Sequence, residues 1–138
     1  MTKIETIPVL LSPDIGATSA FGTSLGFEVE RFADTYAILY GLGFEVHYAH
    51  TSRPDVCSET SCYIRGSDVL NLHPKLRKRA PDSVSPIYHR DWGMTEFYLR
   101  DPHGNLWKFG LRTDDLPPKL YPLQGDLRCI WKNAWRRR

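Results

Sequence analysis

No stretch of this 138-residue sequence approaches the roughly 20 consecutive apolar residues that span a bilayer. The opening Met1-Thr2-Lys3-Ile4-Glu5 also lacks the apolar segment of a signal peptide. A cytoplasmic protein with no membrane partner is the expectation. Cysteine is scarce: Cys57, Cys62 and Cys129 form an odd set of three, which suits a reducing compartment better than a disulfide framework. Low-complexity tracts are missing too, and 41% hydrophobic with 25% charged residues places the chain among folded globular domains rather than disordered ones. Net charge is small. Of the formal +2, residues 1–112 carry 12 Lys+Arg against 13 Asp+Glu, whereas residues 113–138 carry 6 against 3. The body is therefore close to neutral and the excess sits in a basic C-terminal extension. Arg136, Arg137 and Arg138 beside Trp131 and Trp135 read as a solvated terminus, with a phosphate-binding patch as the alternative. No nucleic-acid-binding motif accompanies them, so nucleic acid is not an expected partner.

What the chain does contain is one plan used twice. Ile4 to Leu11 reads as a strand, followed by Ser12-Pro13-Asp14, where Ser12 offers a helix cap and Pro13 suits a first helical position. Ala17, Ala20, Phe21 and Leu25 recur at helical spacing, and Gly26 supplies a left-handed exit. Strands follow at Phe27–Phe32, Tyr36–Tyr40 and, after Gly41-Leu42-Gly43, Phe44–His50. The second pass starts near Thr60. Ser61–Arg65 is a strand, and Asp68 takes the place Asp14 held before the first helix. A helix over about Ser67 to Lys78 presents Val69, Leu70 and Leu76, with Pro74 bending or breaking it. Strands Ile87–Arg90, Thr95–Arg100 and Asn105–Leu111 close the repeat, the last two joined by a turn at Asp101-Pro102-His103-Gly104. The expected fold is α+β: two βαβββ modules, about residues 4–50 and 60–112, in one domain over residues 1–112. They are expected to form a curved mixed sheet around a concave cleft with helices outside.

Strand alternation sorts the side chains. Phe44, Val46 and Tyr48 take one face of their strand and Glu45 and His47 the other, the cleft face. Phe97 and Leu99 likewise oppose Glu96, Tyr98 and Arg100. A register error of one residue reverses every assignment.

Pro8-Val9-Leu10-Leu11-Ser12-Pro13-Asp14-Ile15, with Ala20-Phe21 and Leu25-Gly26-Phe27-Glu28-Val29, resembles the opening half-module of bleomycin-resistance proteins. The run Trp92-Gly93-Met94-Thr95-Glu96-Phe97-Tyr98-Leu99-Arg100-Asp101-Pro102-His103-Gly104-Asn105-Leu106 is similar to that family's Trp-Gly segment and Asp-Pro-x-Gly-Asn hairpin. The chain is identified on these motifs as resembling the glyoxalase/bleomycin-resistance/dioxygenase (vicinal oxygen chelate) superfamily over most of residues 6–112. Metal-dependent members hold a divalent ion at four strand positions, which by the match fall at Ile7, His47, Ser61 and Lys108. Isoleucine has no donor atom, serine is a poor ligand and an ammonium repels a cation, so no metal and no cofactor are expected. His47 and His50, three apart on a strand, project to opposite faces, and Cys57 and Cys62 lack a second closely spaced pair for zinc.

The resemblance then implies a binding protein that is not an enzyme: a homodimer whose clefts sequester a bleomycin-like antibiotic and confer resistance. Trp92 is the candidate aromatic wall, flanked by Gly93 and Met94. Tyr36, Phe32 and Tyr48 are further aromatic candidates; the alternative is a half-buried sheet residue for Tyr36 and Tyr48 and an ordinary strand-end residue for Phe32. Asp55, Glu45 and Glu96 are candidate acidic contacts, with a solvated carboxylate as the alternative for Asp55 and Glu45. Ser61 and Cys62 offer hydrogen-bond donors, and Lys108 either orients a carboxylate or pairs with Glu96. The alternatives are a metal-dependent glyoxalase or dioxygenase-type enzyme, and a Cys62–His47 nucleophile pair that no spacing brings together.

Overall fold

The computed structural model describes residues 3–117; the rest of the basic extension, with Cys129, Trp131, Trp135 and the terminal arginines, lies outside the described residues. The first module runs β1 (Val9–Ser12), α1 (Ile15–Leu25), β2 (Glu28–Phe32), β3 (Tyr36–Gly41) and β4 (Phe44–His50). A 3₁₀ turn at Pro54–Glu59 leads to the second: β5 (Ser61–Arg65), a 3₁₀ turn at Val69–Asn71, α2 (Leu72–Arg79), β6 (Tyr88–His89), β7 (Met94–Arg100) and β8 (Leu106–Arg112). The βαβββ plan is thus present twice, in an α+β fold. Each copy builds its own four-stranded sheet with the same strand order, β1-β4-β3-β2 and β5-β8-β7-β6. The described residues divide into two compact units, residues 3–62 with 100–106, and residues 63–99 with 107–117.

In the first unit, β1 pairs parallel to β4, and β4–β3 and β3–β2 pair antiparallel. Leu10, Ala37, Leu39, Val46 and Tyr48 are buried on the face that α1 covers with Ile15, Thr18, Gly22 and Leu25. The close approach occurs at Gly22, where a methyl group would lie 2.7 Å from Leu39 Cδ2. The buried stripe of α1 therefore differs from the expected one: Ala20 is exposed and Phe21 only half-buried, because Thr18 is drawn inward by its bond to Ser12 Oγ (2.7 Å). The helix cap is also corrected. Asp14, in extended conformation, accepts from Ala17 N at 3.0 Å, whereas Ser12 Oγ accepts from Asp14 N and Pro13 precedes the cap. Gly26 ends the helix at φ 100°, as its position predicts. The first strand is shorter than the apolar run, starting at Val9 rather than Ile4.

The hairpin turn of the second module joins this first unit. Tyr48 Oη donates to Asp101 Oδ2 (2.7 Å), and Asp101 Oδ1 accepts from the amides of His103 and Asn105 (2.9 Å each). The Asn105 side-chain amide donates to both Asp101 Oδ2 and the Leu11 carbonyl at 2.8 Å. Its oxygen accepts from the Thr60 hydroxyl. The Asp-Pro-x-Gly-Asn motif thus does more than turn the chain: it bonds two strands far from it in sequence.

In the second unit Phe97 stacks on Phe109 at 4.5 Å, and Trp107, Leu99 and Leu76 are fully buried with them. His73 of α2 meets the Phe97 ring edge-on and donates from Nε2 to the Ser85 carbonyl (2.8 Å). Pro74 does not break the helix. It falls in the first turn of α2, where a backbone N–H would have no intrahelical partner. Asp68 makes no capping bond, so the parallel with Asp14 is one of position only.

Candidate functional site

Antiparallel partners share a face, so the register of the first sheet decides what stands opposite α1. Tyr40 pairs with Glu45 and Glu28, Ile38 with His47 and Glu30, and Tyr36 with Phe32, while Val9 lies beside His47. One face therefore collects the carboxylates of Glu28, Glu30 and Glu45 among Phe32, Tyr36 and Tyr40. The expected facing of Glu45 and His47 away from Val46 and Tyr48 holds, since Val46 and Tyr48 are buried and Glu45 and His47 are not. Tyr48 consequently points to the core side and bonds Asp101. The charge of Glu28, with its hydrogen bond, raises the Tyr40 phenol above its usual range.

Across this face runs a short relay. Tyr36 Oη lies 2.6 Å from His47 Nδ1, and His47 Nε2 bonds the Glu45 carboxylate. A carboxylate only accepts, so Nε2 carries a proton; in the neutral ring Nδ1 then accepts from Tyr36. Both ring nitrogens are engaged. Ile7 precedes β1 and brings no donor, Ser61 is a weak one and Lys108 a cation, so the four positions do not fit a divalent ion. Among the described residues no group of three or more His, Cys, Asp or Glu could hold a metal.

The second unit carries a different arrangement. Glu96 is 3% exposed, and its two oxygens accept from the hydroxyls of Tyr63 and Tyr98, the latter at 2.7 Å. Arg90 Nε donates to Tyr98 Oη (2.8 Å), and its guanidinium lies over the rings of Tyr88, Tyr98 and Trp92 at 4.3, 5.1 and 5.5 Å from their centroids. A buried chain, Tyr63–Glu96–Tyr98–Arg90, thus ends on two aromatic side chains that reach solvent: Tyr63, 42% exposed, and Trp92, 57% exposed. Burial and bonding to Glu96 push both phenols well above the ordinary tyrosine range, so they remain donors. Trp92 rides on a hairpin closed by Arg90 N to Met94 O (2.7 Å), with Gly93 at φ 80°, a left-handed conformation that a side chain would strain. Phe32, half exposed, occupies the matching β2–β3 hairpin of the first module.

The remaining sequence candidates separate. Asp55 is on the surface and paired with Arg53 at 3.0 Å. Ser61 and Cys62 are neighbours on β5 and so project to opposite faces. Lys108 does not pair with Glu96; its Nζ stands 6.0 Å from the Tyr63 ring centroid, and Tyr63 takes the carboxylate instead. Glu96 is an interior acceptor rather than an exposed charge. Sequence reasoning missed Glu28, Glu30, Tyr63, Arg65 and Arg90. One signal pointed to Tyr63: Gly110, inside a strand, marks a close approach. A methyl group there would lie 2.7 Å from Tyr63 Oη and 3.0 Å from Glu96 Cγ.

Burial pushes the Cys62 thiol up to about 12, and burial also raises Cys57, whose Sγ donates to the Leu11 carbonyl. A nucleophilic role for Cys62 has no thiolate to start from. In a Cys57→Ser, Cys129→Ser variant, Cys62 is expected to react with a disulfide reagent at pH 8 at least about 100-fold more slowly than in urea, a loss on the order of the lost thiolate fraction. Equal rates folded and unfolded would contradict this assignment.

No protein-family model and no curated protein sequence matches the chain. Solved structures do. A bleomycin-binding protein complexed with bleomycin is 23% identical, over 80% of this chain and 99% of that one, with a TM-score of 0.69. The bleomycin-binding protein of bleomycin-producing Streptomyces verticillus, complexed with copper(II)-bleomycin, is 27% identical over 79% and 97%, with a TM-score of 0.66. A glyoxalase-related enzyme from Clostridium phytofermentans is 17% identical over 81% and 97%, with a TM-score of 0.62. The chain therefore has the two-module glyoxalase/bleomycin-resistance fold, that of the vicinal oxygen chelate superfamily.

Proposed function

We propose that this protein binds and sequesters a bleomycin-type antibiotic or a similar flat, cationic small molecule without transforming it, and does so as a homodimer in the cytoplasm. The observation that carries the reading is the face of the first sheet, where Glu28, Glu30 and Glu45 stand among Phe32, Tyr36 and Tyr40. Carboxylates there attract a cation, and each aromatic surface adds roughly 1 kcal/mol of stacking or cation–π energy. The near-neutral body, which argues against a cation binder when charge is only counted, gives way to local concentration: fields act over a Debye length of about 8 Å, so clustering matters more than the sum. Phe32, at the β2–β3 hairpin of the first module, is one candidate aromatic contact, and Trp92, at the β6–β7 hairpin of the second with Gly93 and Met94 giving it its position, is another.

The superfamily also contains metal enzymes, and the glyoxalase-related neighbour stands for that second reading. Against it are the donor set at Ile7, His47, Ser61 and Lys108 and the engagement of both His47 nitrogens. The test is a calorimetric titration of chelator-treated protein with bleomycin, with sedimentation to give the assembly state. Sub-micromolar binding is expected. Trp92→Ala should weaken it at least tenfold, about 1.4 kcal/mol, and a Glu28→Gln, Glu30→Gln, Glu45→Gln triple variant should weaken it further and flatten its salt dependence. Absence of heat and of thermal shift rejects the ligand; bleomycin-independent turnover on added divalent metal favours the enzyme.

A further inference from the structure

We infer that the face of the second sheet holds an anion site, formed by Arg65 and Lys108 around the Tyr63 ring, that takes the carboxylate of a planar aromatic ligand. Three observations converge on it. The Arg65 guanidinium lies 5.2 Å and Lys108 Nζ 6.0 Å from the same ring centroid. Among the described residues neither cation has a carboxylate within ion-pair distance; the ion pairs there are Arg31–Asp34, His47–Glu45 and Arg53–Asp55. Among the described strand residues of this face the one acid is Glu96, which is buried beneath Tyr63 and already accepts from two phenols. Counting Arg90 as its counter-charge through Tyr98, Arg65 and Lys108 remain in excess, and Arg112 stands on the same side of β8 as Lys108 by strand alternation.

The local construction is specific. Tyr63 reaches across β8 only because position 110 has no side chain, and its hydroxyl is tied to Glu96, so the ring is a fixed floor rather than a free surface residue. A guanidinium and an ammonium on a fixed ring match an oxyanion bridging the two, with its flat body against the exposed aromatic surface of Tyr63. All the residues of this site belong to the second unit, whereas the carboxylate face that would take a cation belongs to the first.

The probe is 2-naphthoate, followed by calorimetry and by amide chemical shifts of the full-length protein, with 2-naphthylmethylammonium as the opposite-charge control. Naphthoate is expected to shift resonances of residues 63–65 and 108–110 and to bind at least tenfold more tightly than the ammonium at this face. Arg65→Gln and Lys108→Met are each expected to weaken naphthoate at least fivefold, with melting temperatures unchanged because both side chains reach solvent. Raising salt from 50 to 500 mM should weaken it in the wild type and much less in the double variant. Shifts confined to other residues, equal affinity in the variants, or preference for the ammonium would overturn the site. Bleomycin binding lost only in the Glu28, Glu30 and Glu45 variants, and naphthoate binding lost only in the Arg65 and Lys108 variants, keep the two proposals separately decidable.

Discussion

Glu96→Ala is expected to cost about 3–5 kcal/mol of folding stability, the range for removing one partner of a buried charged network. The carboxylate is the acceptor for Tyr63 and Tyr98, and through Tyr98 it answers the charge of Arg90, which is itself buried. Removing it leaves the two phenol donors without their acceptor and the Arg90 charge without its counter-charge, with Tyr98 and Arg90 both buried. At about 4 °C per kcal/mol for a domain of this size, the melting temperature should fall by roughly 12–20 °C. Glu96→Gln, which keeps one acceptor, should cost about 1–2 kcal/mol. The network also has a pH signature. Because Tyr63 and Tyr98 hold their protons in the fold above the ordinary phenol range, the native state binds more protons than the unfolded chain as pH passes about 10, and stability falls there. That alkaline loss should be smaller in Glu96→Ala. Denaturant unfolding at pH 8 and pH 10.5 measures both; a cost below about 1 kcal/mol would mean the network is not load-sharing as described.

Asp101→Ala should be nearly as costly, about 3 kcal/mol, for a different reason. Four donors converge on Asp101: Tyr48 Oη, the amides of His103 and Asn105, and the Asn105 side chain. The side chain is 5% exposed, so water does not replace it. Loss of the carboxylate frees Asn105, and with it the bond to the Leu11 carbonyl, so β1 and β4 lose their tie to this turn. Asp101→Asn retains one acceptor oxygen and is expected to lose about half as much. Hydrogen exchange at Leu11 and Tyr48 distinguishes the mechanism: protection should drop there first, and uniform loss across both units would show that the turn has no local role.

Much of the candidate site is legible strand by strand. Val46 and Tyr48 against Glu45 and His47 follow from a period of two, and that assignment stands because one face of β4 is buried under α1. The same rule applied to β7 separates Glu96 and Tyr98 from Phe97 and Leu99 correctly. It also makes Glu96 a candidate contact for a ligand, whereas the carboxylate is buried beneath Tyr63. Alternation tells which side a residue takes, not what covers it, and β7 is covered on both sides. The cover is Tyr63, lying over Gly110 from a strand that starts more than thirty residues earlier.

The sequence by itself determines the order and type of the elements in both modules, the left-handed end of α1 at Gly26 and the turn at Gly104. These depend on local periodicity and on backbone conformations that glycine alone adopts readily. Only the tertiary structure decides that Glu28 and Glu30 join Glu45 on one face, that Arg65 and Lys108 flank a single ring, and that Asp101 holds the first module. Each depends on register between strands distant in the chain, and a hydrogen-bonded register places side chains within a few ångströms that no spacing in the sequence brings together.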